Sequence, residues 1–210
     1  MRVLLQDASV SDCDGTVGMR KYGRLVNLQL SAAGNIIKEI RSGGQTGVDR
    51  AALDAALELG IRTAGYVPLG RSAEDGRIPD VYPGLVEIPS ADPLVRTAMN
   101  IDSSDGTLLI SRGDLIGGSA FTLERAASSG KPVIHVDLSI IEISQAAAKV
   151  AMWITDNKVR ILNIAGPRAS DDPKIYGYAR ELIKAILPKK LKGRIGPPFA
   201  LSSSLFMDSP

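Results

Sequence analysis

A glycine-rich turn between an apolar run and a helix-forming run is the segment of this chain best suited to bind a ligand. Its residues are Gly43, Gly44, Gln45, Thr46 and Gly47. Glycines let the backbone turn tightly and approach a ligand closely. The run 48–57 favours a helix, whose free N–H groups and positive dipole end attract an anion such as phosphate. The turn therefore predicts a phosphate site that includes Asp49 and Arg50; a tight corner without a ligand is the alternative.

A second glycine-helix junction strengthens this interpretation. The run 105–111 is typical of a strand, and Gly117, Gly118 and Ser119 open a helix-forming run that contains Thr122. Ligands of open α/β sheets lie beyond the carboxyl ends of the strands. Two such turns on neighbouring strands would border one crevice, so we expect both to contribute to one site.

Charged residues in two further segments are candidates for the same site. The long stretch 68–91 is predicted to be irregular, and it carries Arg71, Glu74 and Asp75. Long loops without secondary structure are often functional. We expect a lid whose arginines meet an anion, with a solvated charged loop as the alternative. Arg168 follows Gly166-Pro167 and has the bidentate geometry that suits phosphate, or is a surface arginine.

The composition excludes several classes of protein. The net charge of +2 over 210 residues is too small to indicate nucleic acid or a membrane surface as partner. The single cysteine, Cys13, excludes an internal disulfide and a cysteine-cluster zinc site, and the single histidine, His135, excludes a histidine-rich metal site. The sequence has no run of ~18 apolar residues that could span a membrane. Acidic residues near the N-terminus stand where a signal peptide would have its apolar core. We expect a cytoplasmic protein with no protein-ligated metal.

Strand and helix patterns alternate through the middle of the chain, which predicts an α/β fold with a parallel sheet covered on both faces. The predicted strands are Ile36–Arg41, Thr63–Val67, Gly106–Ser111, Pro132–Asp137 and Val159–Ile164. The predicted helices are Val48–Leu59, Pro93–Asp102, Ser119–Ser129, Ser144–Thr155 and Pro173–Leu187. We expect one domain over residues 36–187, a poorly ordered extension over 1–35, and a C-terminal tail over 188–210.

Five blocks of sequence, in order, resemble the family named putative molybdenum carrier, within the Rossmann-like group that also contains phosphoribohydrolases. The blocks begin at Gly43 and include 68–76, 100–105, 117–124 and 162–168. The resemblance implies a Rossmann-like doubly wound sheet of about five to seven strands. It also implies an anionic small-molecule ligand, with the molybdenum cofactor (molybdopterin) as cargo, and it adds Asn100 to the ligand-binding residues. We expect a homo-oligomer, a dimer or a tetramer.

The related phosphoribohydrolases imply an alternative, enzymatic function. In those enzymes a glycine pair precedes Gly-Thr-x-x-Glu, and matching the pairs puts Glu124 on the glutamate that assists cleavage of an N-glycosidic bond. The same match puts Ala120 on the glycine and Phe121 on the threonine, although Thr122 follows. Because the motif is incomplete, a carrier is favoured over a nucleoside-monophosphate phosphoribohydrolase. A nucleotide-sensing module is the third hypothesis.

Overall fold

The structure, a computed structural model, describes residues 26, 28 and 30–187. Its strands are β1 Glu39–Arg41, β2 Arg62–Val67, β3 Ser72–Ala73, β4 Gly76–Arg77, β5 Leu85–Glu87, β6 Gly106–Ser111, β7 Val133–Asp137 and β8 Ile161–Ala165. Its helices are α1 30–36, α2 Val48–Leu59, α3 Pro93–Asp102, α4 Gly117–Ser128, α5 Ile143–Asp156 and α6 Ile175–Ile186. In the part of the chain that the structure describes, no helix is long and apolar enough to cross a membrane.

Six of the strands form one parallel sheet in the order β5-β2-β1-β8-β6-β7. This confirms the predicted Rossmann-like α/β fold, with a strand count inside the expected range. Among the described residues, β8 is the last strand in sequence, and it lies between β1 and β6, pairing Ile40 with Leu162 and Leu108 with Ile164. The two glycine turns therefore follow strands that are not neighbours, and the segment after β8 lies between them.

The core lies between the sheet and the helices α2, α5 and α6. Helix α2 approaches the sheet closely because the residues that it buries are mostly alanines. Helix α6, predicted over Pro173–Leu187, buries an apolar stripe at helical spacing, Ile175, Ala179, Leu182, Ile183 and Ile186. Helices α3 and α4 contact each other and cover the other face, where Asn100 bonds the main chain of Tyr66 in β2.

The domain begins earlier than the sequence predicted. Residues 30–36 are helical, and Ala33 is fully buried in the core with Leu30 and Ile36 packed around it. Gly34 and Asn35 interrupt the apolar spacing, so the pattern was not recognisable as a helix. The predicted first strand is accordingly shorter and begins at Glu39. Most of the proposed extension, and the tail 188–210, lie outside the described residues.

The stretch 68–91 is more regular than predicted. It contains a short 3₁₀ turn, the antiparallel hairpin β3–β4 and the strand β5, which extends the sheet beside β2. Ile78 and Tyr82 from this stretch pack with Leu53 and Val67 in a second apolar cluster. The stretch is therefore a packed part of the domain.

Candidate functional site

The first glycine turn is closed by the chain's own backbone. The N–H of Val48, at the start of α2, donates to the carbonyl of Pro167 (3.2 Å). Gly47 has a φ of 72°, and a Cβ there would lie 2.3 Å from the same carbonyl oxygen. The N–H of Gln45 donates to Asp49 (3.3 Å), and the N–H of Thr46 donates to the side chain of Gln45 (3.0 Å). Three N–H groups of the turn and the start of α2, those of Gln45, Thr46 and Val48, thus have protein acceptors.

Several residues proposed for the first turn serve its packing. Gly44 also has a positive φ (73°) and packs against Ile78. The Thr46 hydroxyl accepts the Ala169 N–H (3.0 Å). Arg50 donates to the Gly44 carbonyl (3.2 Å) and pairs with Asp75 (3.3 Å). None of Gly44, Thr46, Gly47, Arg50 and Asp75 lines the clefts described below.

A cleft of about 160 Å³, termed the inner cleft, lies at the carboxyl ends of β1 and β8 and beside the start of α4. The predicted site residues that line it are Gly43, Gln45, Asp49, Asn100, Gly118, Ser119, Thr122 and Arg168. They come from four separate parts of the chain. The crevice predicted at this edge of the sheet therefore exists, although β8 and the segment after it contribute to it as well, through Asn163, Ala165, Gly166 and Asp171.

The start of α4 is one of the helix N-termini that border the inner cleft. The N–H of Gly118 has no acceptor among the described residues, whereas the N–H of Ser119 donates to the carbonyl of Ile116 (3.1 Å). A Cβ on Gly118 would meet no atom within 4 Å. Thr122, one turn later, is buried and donates to the Gly118 carbonyl (2.7 Å). This end of the helix can accept an anion from the cleft.

A buried ion pair forms the wall of the inner cleft next to β1. Asp49 is only 4% exposed, and Arg96 of α3 donates to its Oδ2 atom (3.2 Å). Burial raises the pKa of the Asp49 carboxyl, although Arg96 and the hydrogen bonds from Gln45 and Ser42 act in the opposite direction. The Arg96 guanidinium lies against the backbone of Gly43. A Cβ atom at position 43 would be only 1.5 Å from its Nη1 atom.

Arg96 is a residue that the sequence analysis missed. It lies four residues before Asn100, so the predicted helix Pro93–Asp102 places both on one face. That spacing was the signal that could have identified it. Its Nε atom is buried and has no hydrogen-bond partner in the described part of the chain.

Arg168 is the cation of the site that is held least tightly. Its side chain is 48% exposed, and it lies 3.8 Å from Glu74 and 3.4 Å from Asp171. Both separations are long for hydrogen-bonded ion pairs, and exposed pairs of this kind contribute little stability. An incoming anion can therefore compete for the Arg168 guanidinium.

A second cleft of about 260 Å³, termed the outer cleft, adjoins the inner one. Gly43, Gln45, Pro93, Arg96 and Arg168 line both, while Pro68, Ser72, Ala73, Glu74 and Ala91 line the outer cleft alone. The two clefts thus share a wall, and Arg96 and Arg168 are part of it.

Glu74, which the sequence analysis proposed as a ligand contact, is occupied by protein donors. Its carboxylate accepts hydrogen bonds from the Thr46 hydroxyl and from the N–H and hydroxyl of Ser170. Burial opposes ionisation, but these hydrogen bonds and the nearby Arg168 lower the pKa of the Glu74 carboxyl. Glu74 thereby fastens the β3–β4 hairpin to the segment after β8.

Four further candidates have roles in the protein or lie away from the clefts. Arg71 is buried and donates to the carbonyls of Ile78 (3.2 Å) and Pro79 (3.1 Å), so it braces the stretch 68–91. Asn100 lines the inner cleft, but its amide bonds the N–H and carbonyl of Tyr66 (2.8 and 3.0 Å). Glu124 and Gly117 line neither cleft, and Glu124 is exposed.

The described residues contain no group of three or more His, Cys, Asp and Glu side chains that could hold a metal ion. His135 lies in β7 with Nε2 2.8 Å from the hydroxyl of Ser111. Burial lowers the pKa of His135. It is a hydrogen-bonded residue of the strand that was predicted over Pro132–Asp137.

Comparisons with known proteins agree with this fold. Residues 40–187 match the model of the circularly permutated YpsA SLOG family. A solved structure described as a putative molybdenum carrier protein, from Syntrophus aciditrophicus SB, is 48% identical, with a TM-score of 0.71. The match covers 72% of this chain and 95% of that chain. The search of curated proteins gave no match. The family resemblance found in the sequence is confirmed, and the chain belongs to the circularly permutated YpsA SLOG family.

Proposed function

We propose that this protein is a carrier that binds a phosphate-bearing anion in the inner cleft, and that its cargo is the molybdenum cofactor. The observation that carries the proposal is that Arg168 and Gly118 line the same cleft, and that the Gly118 N–H has no acceptor among the described residues. A guanidinium and a helix N-terminus are the two kinds of group that bind phosphate most often. The name of the similar solved structure supports the choice of cargo.

The size and charge of the inner cleft favour a small anionic group. A volume of about 160 Å³ is below the ~300–1,000 Å³ of pockets that enclose a whole drug-sized ligand. The charges of Arg96 and Arg168 are balanced by Asp49 and Asp171 in the absence of a ligand. Binding therefore requires Arg168 to exchange its long contact with Asp171 for the anion, which leaves the buried Arg96–Asp49 pair intact.

The hydrolase alternative has less support. Glu124 is exposed and lines neither cleft, so it is not placed to assist cleavage of a bond held there. The carboxylates in the inner cleft are Asp49, which is paired with Arg96, and Asp171, which contacts Arg168. Incubation with adenosine monophosphate and chromatography of free adenine test this alternative. Release of adenine that Glu124→Gln abolishes would overturn the carrier proposal.

Gly118→Ala is the sharpest test of the anion site. Gly118 does not have a positive φ and has open space at Cβ, so alanine adds one methyl group without strain. The methyl group would occupy the approach to the N–H, and we expect calorimetry to show at least tenfold weaker binding of ribose 5-phosphate. Gly177→Ala is the matched control, because Gly177 lies in α6, also with open space, away from both clefts. Equal binding by the two variants would refute the anion site.

The cargo needs a separate measurement. Mass spectrometry of small molecules released from the freshly purified protein should detect the pterin of the molybdenum cofactor or its oxidation products. Loss of that signal in Gly118→Ala, with its retention in Gly177→Ala, would link the cargo to the inner cleft. Detection of nucleotides alone would replace the carrier proposal by the nucleotide-sensing one.

A further inference from the structure

Arg96 is fixed in place by two neighbours, Gly43 and Asp49, which line the inner cleft with it. Its guanidinium rests against Gly43, where a Cβ would lie 1.5 Å from Nη1 and 2.5 Å from Cζ. Its Nη1 atom also donates to the buried carboxylate of Asp49 (3.2 Å). No residue with a side chain fits at position 43 unless Arg96 moves. The glycine of the first turn therefore makes room for this guanidinium, a role that anion binding does not explain.

Arg96 also borders the two clefts in which a ligand would bind. Arg96 lines both clefts, and 16% of its side chain is exposed. A guanidinium is planar and weakly hydrated, and it stacks on aromatic faces, whereas the ammonium of lysine is a compact and strongly hydrated charge. Because Asp49 and Gly43 hold the group before any ligand arrives, stacking on it costs little ordering of the side chain.

The outer cleft has enough volume for a planar ring, and part of its lining is apolar. Its volume of about 260 Å³ exceeds that of the inner cleft. Pro68, Ala91 and Pro93 supply apolar surface, and Gln45 supplies a carboxamide. A ligand with its anion beside Gly118 would extend past Arg96 into this space.

We propose that Arg96 is a stacking platform that selects ligands with a planar heteroaromatic ring, bound in the outer cleft while their phosphate occupies the inner cleft. This inference rests on the proposed function, because it assumes the anion in the inner cleft. It makes Arg96 the specificity-determining residue and assigns Gly43 and Asp49 to its positioning. The ligand class is a phosphorylated heteroaromatic compound rather than a free oxyanion.

Two probes with the same anion separate the ring from the phosphate. In the unaltered protein, calorimetry should show adenosine monophosphate binding roughly five- to thirtyfold more tightly than ribose 5-phosphate, the range expected for a cation–π contact. Arg96→Lys keeps the positive charge but loses the planar guanidinium. We therefore expect this variant to bind adenosine monophosphate no more tightly than ribose 5-phosphate. Binding of ribose 5-phosphate should change less than twofold. Arg77→Lys is the control, because Arg77 is exposed and lies outside both clefts.

The outcomes are distinguishable. Equal affinities for the two probes in the unaltered protein overturn the platform, and this measurement needs no variant. An equal loss of both probes in a folded Arg96→Lys protein shows a charge contact and also overturns it, while the proposed function stands. Failure of the unaltered protein to bind either probe removes the proposed function itself.

Discussion

Replacement of Asp49 by asparagine tests whether the buried ion pair serves binding or stability. Burial raises the pKa of the Asp49 carboxyl in spite of Arg96 and of the hydrogen bonds from Gln45 and Ser42. A raised pKa means that the folded protein, compared with the unfolded chain, disfavours the ionised form. At neutral pH the charge on Asp49 therefore lowers the free energy of unfolding relative to a neutral side chain of the same shape.

The contacts of Asp49 indicate the size of the effect. An amide oxygen in the place of Oδ2 accepts from Gln45 (3.3 Å) and from Arg96 (3.2 Å) as the carboxylate does. The Ser42 hydroxyl donates to Ile164 (2.9 Å) and has a lone pair that can accept from the amide N–H. Both hydrogen bonds to Oδ2 are therefore kept. We expect Asp49→Asn to leave the free energy of unfolding unchanged or to raise it by about 1 kcal/mol, which raises Tm by roughly 2–4 °C.

If the ion pair instead stabilises the fold, Asp49→Asn should lower the free energy of unfolding. Loss of one partner from a buried ion pair typically costs about 3–5 kcal/mol, which would lower Tm by roughly 6–20 °C in a domain of this size. Thermal melts between pH 4.5 and pH 8 separate the two. Above the ordinary aspartate pKa the folded protein binds more protons than the unfolded chain, so the stability of the unaltered protein falls as pH rises through the raised pKa. The advantage of Asp49→Asn should therefore grow with pH and then level off.

Asp54→Asn is the control for this experiment. Asp54 also lies in α2, but its two carboxylate oxygens accept from the hydroxyls of Tyr82 and Tyr176 (both 2.7 Å). Asparagine can replace only one of these acceptors, so Asp54→Asn should lower Tm. A fall in Tm of more than 6 °C for Asp49→Asn at pH 8 would refute the reasoning. Weaker binding of adenosine monophosphate by a stable Asp49→Asn protein would show that the charge is kept to hold Arg96.

Three further predictions concern the fold. Burial lowers the pKa of His135, so the stability that neutral His135 contributes is present above about pH 6.5 and is lost as the pH falls below that value. His135→Gln should therefore flatten a plot of melting temperature against pH in this range. Gly47→Ala should cost about 2 kcal/mol more in urea unfolding than Gly60→Ala, since both glycines have positive φ but only the first would press a Cβ on Pro167. Equal costs would contradict this. Ala33→Asp should cost about 2–4 kcal/mol, because it buries an unpaired charge, and an unchanged urea midpoint would show that α1 is not part of the core.

Elements with local signals were predictable from the sequence. Helix α2 has the predicted bounds because Gly47 and Gly60 take up positive φ at its two ends. Helix α3 begins as predicted because the Asp92 side chain accepts the N–H of Leu94 and Pro93 suits the first turn. The strand β5 was missed because its three residues are too few to show an alternating pattern.

The partners of the site residues were not predictable, because they depend on contacts far apart in the chain. Arg50 and Asp54 are four residues apart in α2, a spacing that favours an ion pair, but Arg50 pairs with Asp75. Asp54 is instead taken by Tyr82 and Tyr176. The spacing in one helix cannot reveal such competition, since the competing groups reach α2 only through the tertiary fold.

The position of β8 accounts for most of the difference between the predicted site and the observed one. Two glycine turns on adjacent strands would leave both helix N-termini open to one crevice. Because β8 lies between β1 and β6, the segment that leaves it must pass between the two turns. Its Pro167 carbonyl takes the first N–H of α2, and its Arg168 reaches the clefts. The insertion of β8 thus gives the first N–H of α2 a protein acceptor and places Arg168 beside the cleft that Gly118 also lines.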